Sequence, residues 1–138
     1  MSEMNDWNAK VIAEFRANGG KVGGQFQNAT MVLITTRGAR TGKERVNPLV
    51  YLPDGNRVVI FASKAGAPTN PDWFHNLRAN PVVGVEVGTE RYQARAVVIE
   101  GEERDRLYAA QVKRFSAFGD YEKKTSRKIP VIALERID

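Results

Sequence analysis

The 138-residue sequence has no cysteine. That excludes disulfides, thiolate metal sites and a cysteine nucleophile, and it suits a cytoplasmic setting. There is one histidine, His75. With no second imidazole and no thiol to share a metal, it is assigned no ligand role. No apolar run approaches the roughly 18 residues of a membrane-spanning helix. The opening "MSEMNDWNAK" carries acids and lacks an apolar segment, so it does not read as a secretory signal. No carboxylate pair, Ser/His/Asp arrangement or metal cluster stands out. If a chain so short of acid–base and covalent catalysts is an enzyme, a bound cofactor must bring the reactive chemistry.

Hydrophobic residues make up 42% and charged residues 27%, an ordinary globular composition. The length suits one domain that buries about two-thirds of its unfolded surface. Twenty-one Lys and Arg against 16 Asp and Glu give a formal charge of +5. Such an excess suits phosphate, nucleic acid, an anionic membrane surface or an acidic cofactor, without choosing among them.

Trp7, Val11, Ile12 and Phe15 recur at helical spacing, and Asn18-Gly19-Gly20 ends that helix. "TMVLITT" (30–36) is short and β-branched, a buried strand. "VNPLVYL" and "RVVIFAS" flank the turn sequence "PDGN" and predict a hairpin; "PVVGVEVG" and "RYQARAVVIE" flank "GTE" and predict a second. "EERDRLYAAQVKRFSAF" is helical through Leu107, Ala110, Val112 and Phe115, and "KIPVIALERI" is a closing strand. Most strand connections are too short for parallel crossovers. The expected fold is α+β: a mainly antiparallel, six-stranded, closed or split β-barrel with helices packed outside. A helix and connection over 1–29 precede a single domain over 30–138.

Three stretches carry chemistry. In "TTRGARTGKERVNPLVYL", the cations Arg37, Arg40, Lys43 and Arg45 fall within nine residues, with Glu44 the one acid among them. The stretch is not a P-loop: three residues, not four, separate Gly38 from Gly42, and Glu44 follows Lys43. Its glycines still allow backbone N–H groups to approach an anion, with the cations strengthening those bonds. The plainer reading is a solvated hairpin tip. In "FASKAGAPTNPDWFHNLRANP", Asn70 is an expected N-cap with Pro71 at the first helical position. Ser63, Lys64 and the amides near Gly66 and Ala67 form a second candidate anion nest. Trp73 is placed to pack on a planar ligand, whereas Phe74 and Leu77 read as core. In "FSAFGDYEKKTSRKIPV", Gly119-Asp120 is expected to end the helix and leave the Tyr121 hydroxyl facing a cavity.

"RGARTGKERVNPL" and "SKAGAPTNPDWFHNLRANP", followed by "YEKKTSRKIPVIALERI", resemble the deazaflavin-dependent nitroreductase family. These are small split-β-barrel reductases, similar to flavin mononucleotide (FMN)-binding barrels, that use the 8-hydroxy-5-deazaflavin coenzyme F-420 and occur mainly in actinobacteria. The resemblance covers residues 30–137. It implies that Arg40, Thr41, Gly42, Lys43 and Arg45 hold the coenzyme's phosphate region. By the same pattern Ser63, Lys64, Gly66, Ala67 and Pro68 line its ring and tail, Trp73 and Asn76 close the site, and Val46, Asn47 and Pro48 run beside the ring. The implied reaction passes a hydride to a quinone, conjugated enone or lactone, or nitro compound. Tyr121 orients the acceptor, with Ser63 as second candidate for polarising it. Phe118 stands where some relatives carry a further tyrosine, which argues against bicyclic nitroimidazoles. A planar, polyanionic ligand would account for two cationic loops beside aromatics.

Three other readings stand beside it: an FMN-dependent barrel oxidoreductase, a coenzyme carrier without turnover, and a nucleic-acid module. The last ranks lowest, because the cations sit beside Gly/Pro loops rather than along one groove. The expected partner is a small-molecule electron acceptor, not nucleic acid. The chain is expected to be a cytoplasmic monomer or weak homodimer with no transmembrane segment, with peripheral contact to a membrane through the Trp7 helix the lesser alternative.

Overall fold

The computed structural model describes residues 3–22 and 30–137, with side chains from Asn8 onward. The elements in order are α1 (Glu3–Ala17), β1 (Met31–Arg37), β2 (Glu44–Val50), β3 (Leu52–Asp54), β4 (Arg57–Phe61), a 3-10 turn (Lys64–Gly66), α2 (Asp72–Ala79), β5 (Val82–Val87), β6 (Glu90–Ile99), α3 (Gly101–Arg114), α4 (Ala117–Lys124) and β7 (Val131–Ile137). Residues 23–29 of the expected connection and the Trp7 side chain lie outside the described residues.

All seven strands join one antiparallel sheet in the order β2-β1-β5-β6-β7-β4-β3. The edge strands β2 and β3 are separated in the chain by Tyr51 alone. One residue spans only about 3.5 Å, so the sheet must curl enough to bring the end of β2 to the start of β3. Thr30 fastens that corner: its carbonyl accepts from Tyr51 N–H (3.0 Å) and its hydroxyl donates to Tyr51 O (2.6 Å).

The curl gives the strands an inner and an outer face, as period-two alternation requires. Val32, Ile34, Val58, Ile60, Val83, Val85, Ile132 and Leu134 fill the inside, with Trp73, Phe74 and Leu77 of α2. Outside, Val59, Phe61, Val131 and Ala133 pack under Leu107 and Tyr108 of α3. Met31 and Leu33 pack under Val11 and Phe15 of α1. Burying a side chain of this size contributes about 1.5–3 kcal/mol, and these three clusters hold the layers together.

Two expectations need correction. The strands number seven, not six, because the run "VNPLVYLPD" changes partner at Tyr51. Residues 44–50 pair with β1 and residues 52–54 with β4. The "PDGN" turn is real, but its hairpin is only three pairs long. Asn70 does not cap α2: Pro71 occupies the N-cap position, and the Asn70 side chain is engaged elsewhere.

Candidate functional site

β1 and β2 pair from Met31 opposite Val50 to Arg37 opposite Glu44, and residues 38–43 are the tip. Within it Gly38 N–H donates to Lys43 O (2.8 Å) and Gly42 N–H to Gly38 O (2.9 Å). The Thr41 hydroxyl accepts from Lys43 N–H (3.2 Å). Thr41 therefore braces the tip from inside. Gly42 sits at φ +71°, where an L side chain is strained. Arg40, Thr41, Gly42, Lys43 and Arg45 are all exposed. Among the described residues no carboxylate pairs with Arg37, Arg40, Lys43 or Arg45. The stretch is the hairpin tip of the plainer reading, yet it is one whose cations lack counter-charges.

α2 fixes that tip. The Asn76 carboxamide oxygen accepts from Ala39 N–H (3.0 Å), and its nitrogen donates to the buried Thr36 hydroxyl (3.3 Å). Asn80 Nδ2 donates to Arg37 O (3.4 Å). Asn76 is a positioning residue whose polar atoms are both engaged with protein. The same helix directly follows the loop that carries the second candidate stretch.

That loop, residues 62–70, is backbone-strained. Lys64 and Ala65 lie at φ +46° and +53°, the left-handed region that non-glycine residues resist. The expected nest amides are engaged: Gly66 N–H donates to Ser63 O (2.9 Å) and Ala67 N–H to Lys64 O (3.0 Å). Lys64 is exposed and its ammonium donates to the Thr69 hydroxyl (3.3 Å); Pro68 is exposed and Ser63 buried. Arg127 was not foreseen in any role. Its guanidinium donates to the carbonyls of Ala62 (3.0 Å), Ser63 (2.8 Å) and Ala67 (3.0 Å) and to Asn70 Oδ1 (2.7 Å). Burial pulls its pKa below the usual guanidinium value, countered in part by Tyr108. The one available signal was a cation directly ahead of a strongly apolar closing strand.

α4 backs the loop. Gly66 lies at φ +82°, and a Cβ there would come within 2.8 Å of Lys124 Cβ and 3.0 Å of Tyr121 O. Gly66 thus serves a close helix–loop approach. Gly119-Asp120 does not end a helix. α3 stops at Arg114, and α4 runs through both residues to Lys124, placing Tyr121 mid-helix. Tyr121 is half-buried, its ring edge-on to Phe118 at 5.2 Å. Tyr108 is buried and donates its hydroxyl to Phe118 O (2.7 Å), which ties α3 to α4. Burial pushes the Tyr108 phenol well above its ordinary range.

The three strand residues expected beside a ring do not share a face. Asn47 and Arg45 pair with Ile34 and Thr36 and lie on the inner side. Val46 and Pro48 pair with Thr35 and Leu33, and Val46 packs against the cluster under α1. Trp73 is 6% exposed and packs within the inner core. An open groove of about 300 Å³ crosses β1, β5 and β6, lined by Arg37, Glu44, Gly84, Glu86 and Arg91 among others. None of the expected site residues lines it.

A model of the F420H(2)-dependent quinone reductase family matches residues 7–136. An F420H(2)-dependent quinone reductase of Mycobacterium tuberculosis strain H37Rv is 35% identical over 128 residues, covering 90% of this chain and 86% of that protein. The solved structure of an F420-H2 dependent reductase aligns at TM-score 0.71 and 37% identity, over 77% of this chain and 94% of its own. A chain described as a domain-swapped dimer aligns at TM-score 0.73 and 33% identity, over 96% and 100%. This chain belongs to the F420H(2)-dependent quinone reductase family.

Proposed function

We propose that this chain reduces quinones, and related electron-poor acceptors, with the reduced deazaflavin coenzyme F-420. The curled sheet is read as a split β-barrel of the FMN-binding type. The observation that carries the reading is one arrangement: a β1–β2 hairpin whose exposed cations Arg40, Lys43 and Arg45 have no carboxylate partner among the described residues, its tip docked by Asn76 onto the helix that follows the Arg127-clamped loop.

The residues present suit a long polyanion. Arg40, Lys43 and Arg45 meet its phosphate region. A charge-assisted hydrogen bond contributes about 1.5–3 kcal/mol, so three well-placed ones supply much of the roughly 8 kcal/mol of a micromolar complex. Ser63 in the right-handed region followed by Lys64 in the left-handed region turns successive amides to one side, the geometry of an anion nest. The nest therefore uses the amides around Ser63–Ala65, with Gly66 and Ala67 shaping the loop. Asn47 and Pro68 border the ring, while Trp73 and Asn76 hold the walls from behind.

When bound, the reduced deazaflavin supplies the hydride. The protein's part is positioning, worth most when reacting atoms are held about 3–3.5 Å apart. Tyr121 holds the acceptor carbonyl through its hydroxyl and, with water, delivers the proton that accompanies the hydride; Ser63 polarises the same oxygen.

A thermal-shift comparison of F-420, FMN and nicotinamide dinucleotides tests the reading, followed by turnover of reduced F-420 with menadione. F-420 at 100 times its dissociation constant adds about 2.7 kcal/mol of stability, about 9 °C for a chain of this length. Failure of F-420 to bind at tens of micromolar defeats the proposal. A yellow protein stabilised by FMN instead assigns the site to flavin.

A further inference from the structure

Arg127 stands between α4 and β7, and its guanidinium bonds to acceptors 57 to 65 residues away in the chain. Four of its five N–H donors are engaged, all by neutral oxygens on one loop. Among the described residues no carboxylate pairs with it. A partly buried cation surrounded only by dipoles keeps its charge uncompensated.

The four acceptors bracket the strained backbone. Ala62 and Ser63 precede Lys64 and Ala65; Ala67 and Asn70 follow them. Successive left-handed non-glycine residues persist only where the surroundings over-determine them. Here Gly66 is pressed against α4 on one side, and the guanidinium clamps both ends of the loop on the other. The clamp faces carbonyl oxygens, and the loop's own turn bonds use the N–H groups of Gly66 and Ala67 and not those of Ser63, Lys64 and Ala65.

We propose that Arg127 is the positioning residue of the Ser63–Ala65 loop: it holds the strained loop in its anion-receptive form and places an uncompensated positive charge behind it, so that an anionic group of the coenzyme docks there. This rests on the F-420 reading above. The group that docks is a phosphate or carboxylate, and a deazaflavin riboside lacking both phosphate and glutamate tail separates anion recognition from ring recognition.

The test compares wild type with Arg127→Gln, Arg127→Lys and Asn70→Ala, using coenzyme fluorescence titration and amide hydrogen exchange. Arg127→Gln weakens F-420 binding by about 10- to 100-fold. Arg127→Lys, which keeps the charge but not the fork, loses less, and Asn70→Ala loses about threefold. The riboside's affinity stays within about twofold throughout. Exchange rises in residues 62–70 and not in β4 or β7. The inference is overturned if folded Arg127→Gln binds F-420 like wild type, loses the riboside equally, or exchanges faster across the whole sheet. Wild type that fails to bind F-420 sinks the proposed function instead; wild-type loop exchange in Arg127→Gln sinks this inference alone.

Discussion

Replacing Asn76 separates the geometry of the basic tip from its charge. The residue is 9% exposed, and its side chain makes two bonds, from Ala39 N–H at 3.0 Å and to the Thr36 hydroxyl at 3.3 Å. Asn76→Ala removes both. Ala39 is exposed, so water can satisfy its N–H; Thr36 is 1% exposed, and its hydroxyl loses a partner in a dry place. The expected loss is therefore about 1–2 kcal/mol, mostly from the Thr36 side, or roughly 3–7 °C of melting temperature. Untethered, the tip samples many positions, and F-420 affinity falls further than stability does. Asn76→Asp keeps an acceptor for Ala39 N–H and lets Thr36 donate in turn. Its melting temperature stays close to wild type, but a negative charge now offsets the basic tip that it tethers, and affinity falls with a shallower salt dependence. Differential scanning fluorimetry gives the first quantity and fluorescence titration the second. An Asn76→Ala protein that melts early yet binds F-420 at wild-type strength refutes the reasoning, because the tip would then play no part in holding the anion.

Other perturbations test other contacts. Gly66→Ala places a methyl group 2.8 Å from Lys124 Cβ at φ +82°, and should cost about 2 kcal/mol or more; Gly55→Ala, left-handed but unobstructed, should cost about 1 kcal/mol in the same melting assay. Glu86 accepts both Arg16 Nε (3.1 Å) and Nη2 (2.8 Å), and these bonds, with Arg91, hold its carboxyl below the usual range. A carboxyl depressed in the folded state stabilises above its ordinary pKa and loses that contribution as pH falls through the folded value. Glu86→Gln should therefore flatten the acid limb of a stability-against-pH curve and cost about 0.5–1 kcal/mol at neutral pH, since the pair is partly screened. Tyr108→Phe leaves Phe118 O without its donor and should cost about 1–2 kcal/mol by denaturant unfolding.

The elements were legible wherever local pattern decides them. Val11 and Phe15 face the sheet as their spacing predicts. The "GTE" hairpin forms with Val87 opposite Glu90. The antiparallel sheet follows from the short connections. What was not legible depends on partners distant in sequence. Nothing local in "VNPLVYLPD" tells that Tyr51 is a corner where the chain passes from one sheet edge to the other. Asn70 has the composition of a cap, but a guanidinium 57 residues away takes its oxygen. Gly119-Asp120 reads as a helix end, but packing of Phe118 and Tyr121 against the α3 side carries α4 through it.

The same division holds within the site. Residue type and Gly/Pro punctuation locate the exposed cations, because solvent-facing charge needs no tertiary partner. They do not locate Asn76 and Arg127, whose roles consist of bonds across 37 to 65 residues. The two cationic parts should also behave differently. Arg40, Lys43 and Arg45 lie in water, where ions screen them over about 10 Å at 0.1 M salt. Arg127 is partly buried, and its charge is screened less. An anion shared between them should weaken as salt rises, then level off at the affinity the clamped loop supplies alone. The tip would thus govern how fast an anion is captured, and the loop how firmly it is kept.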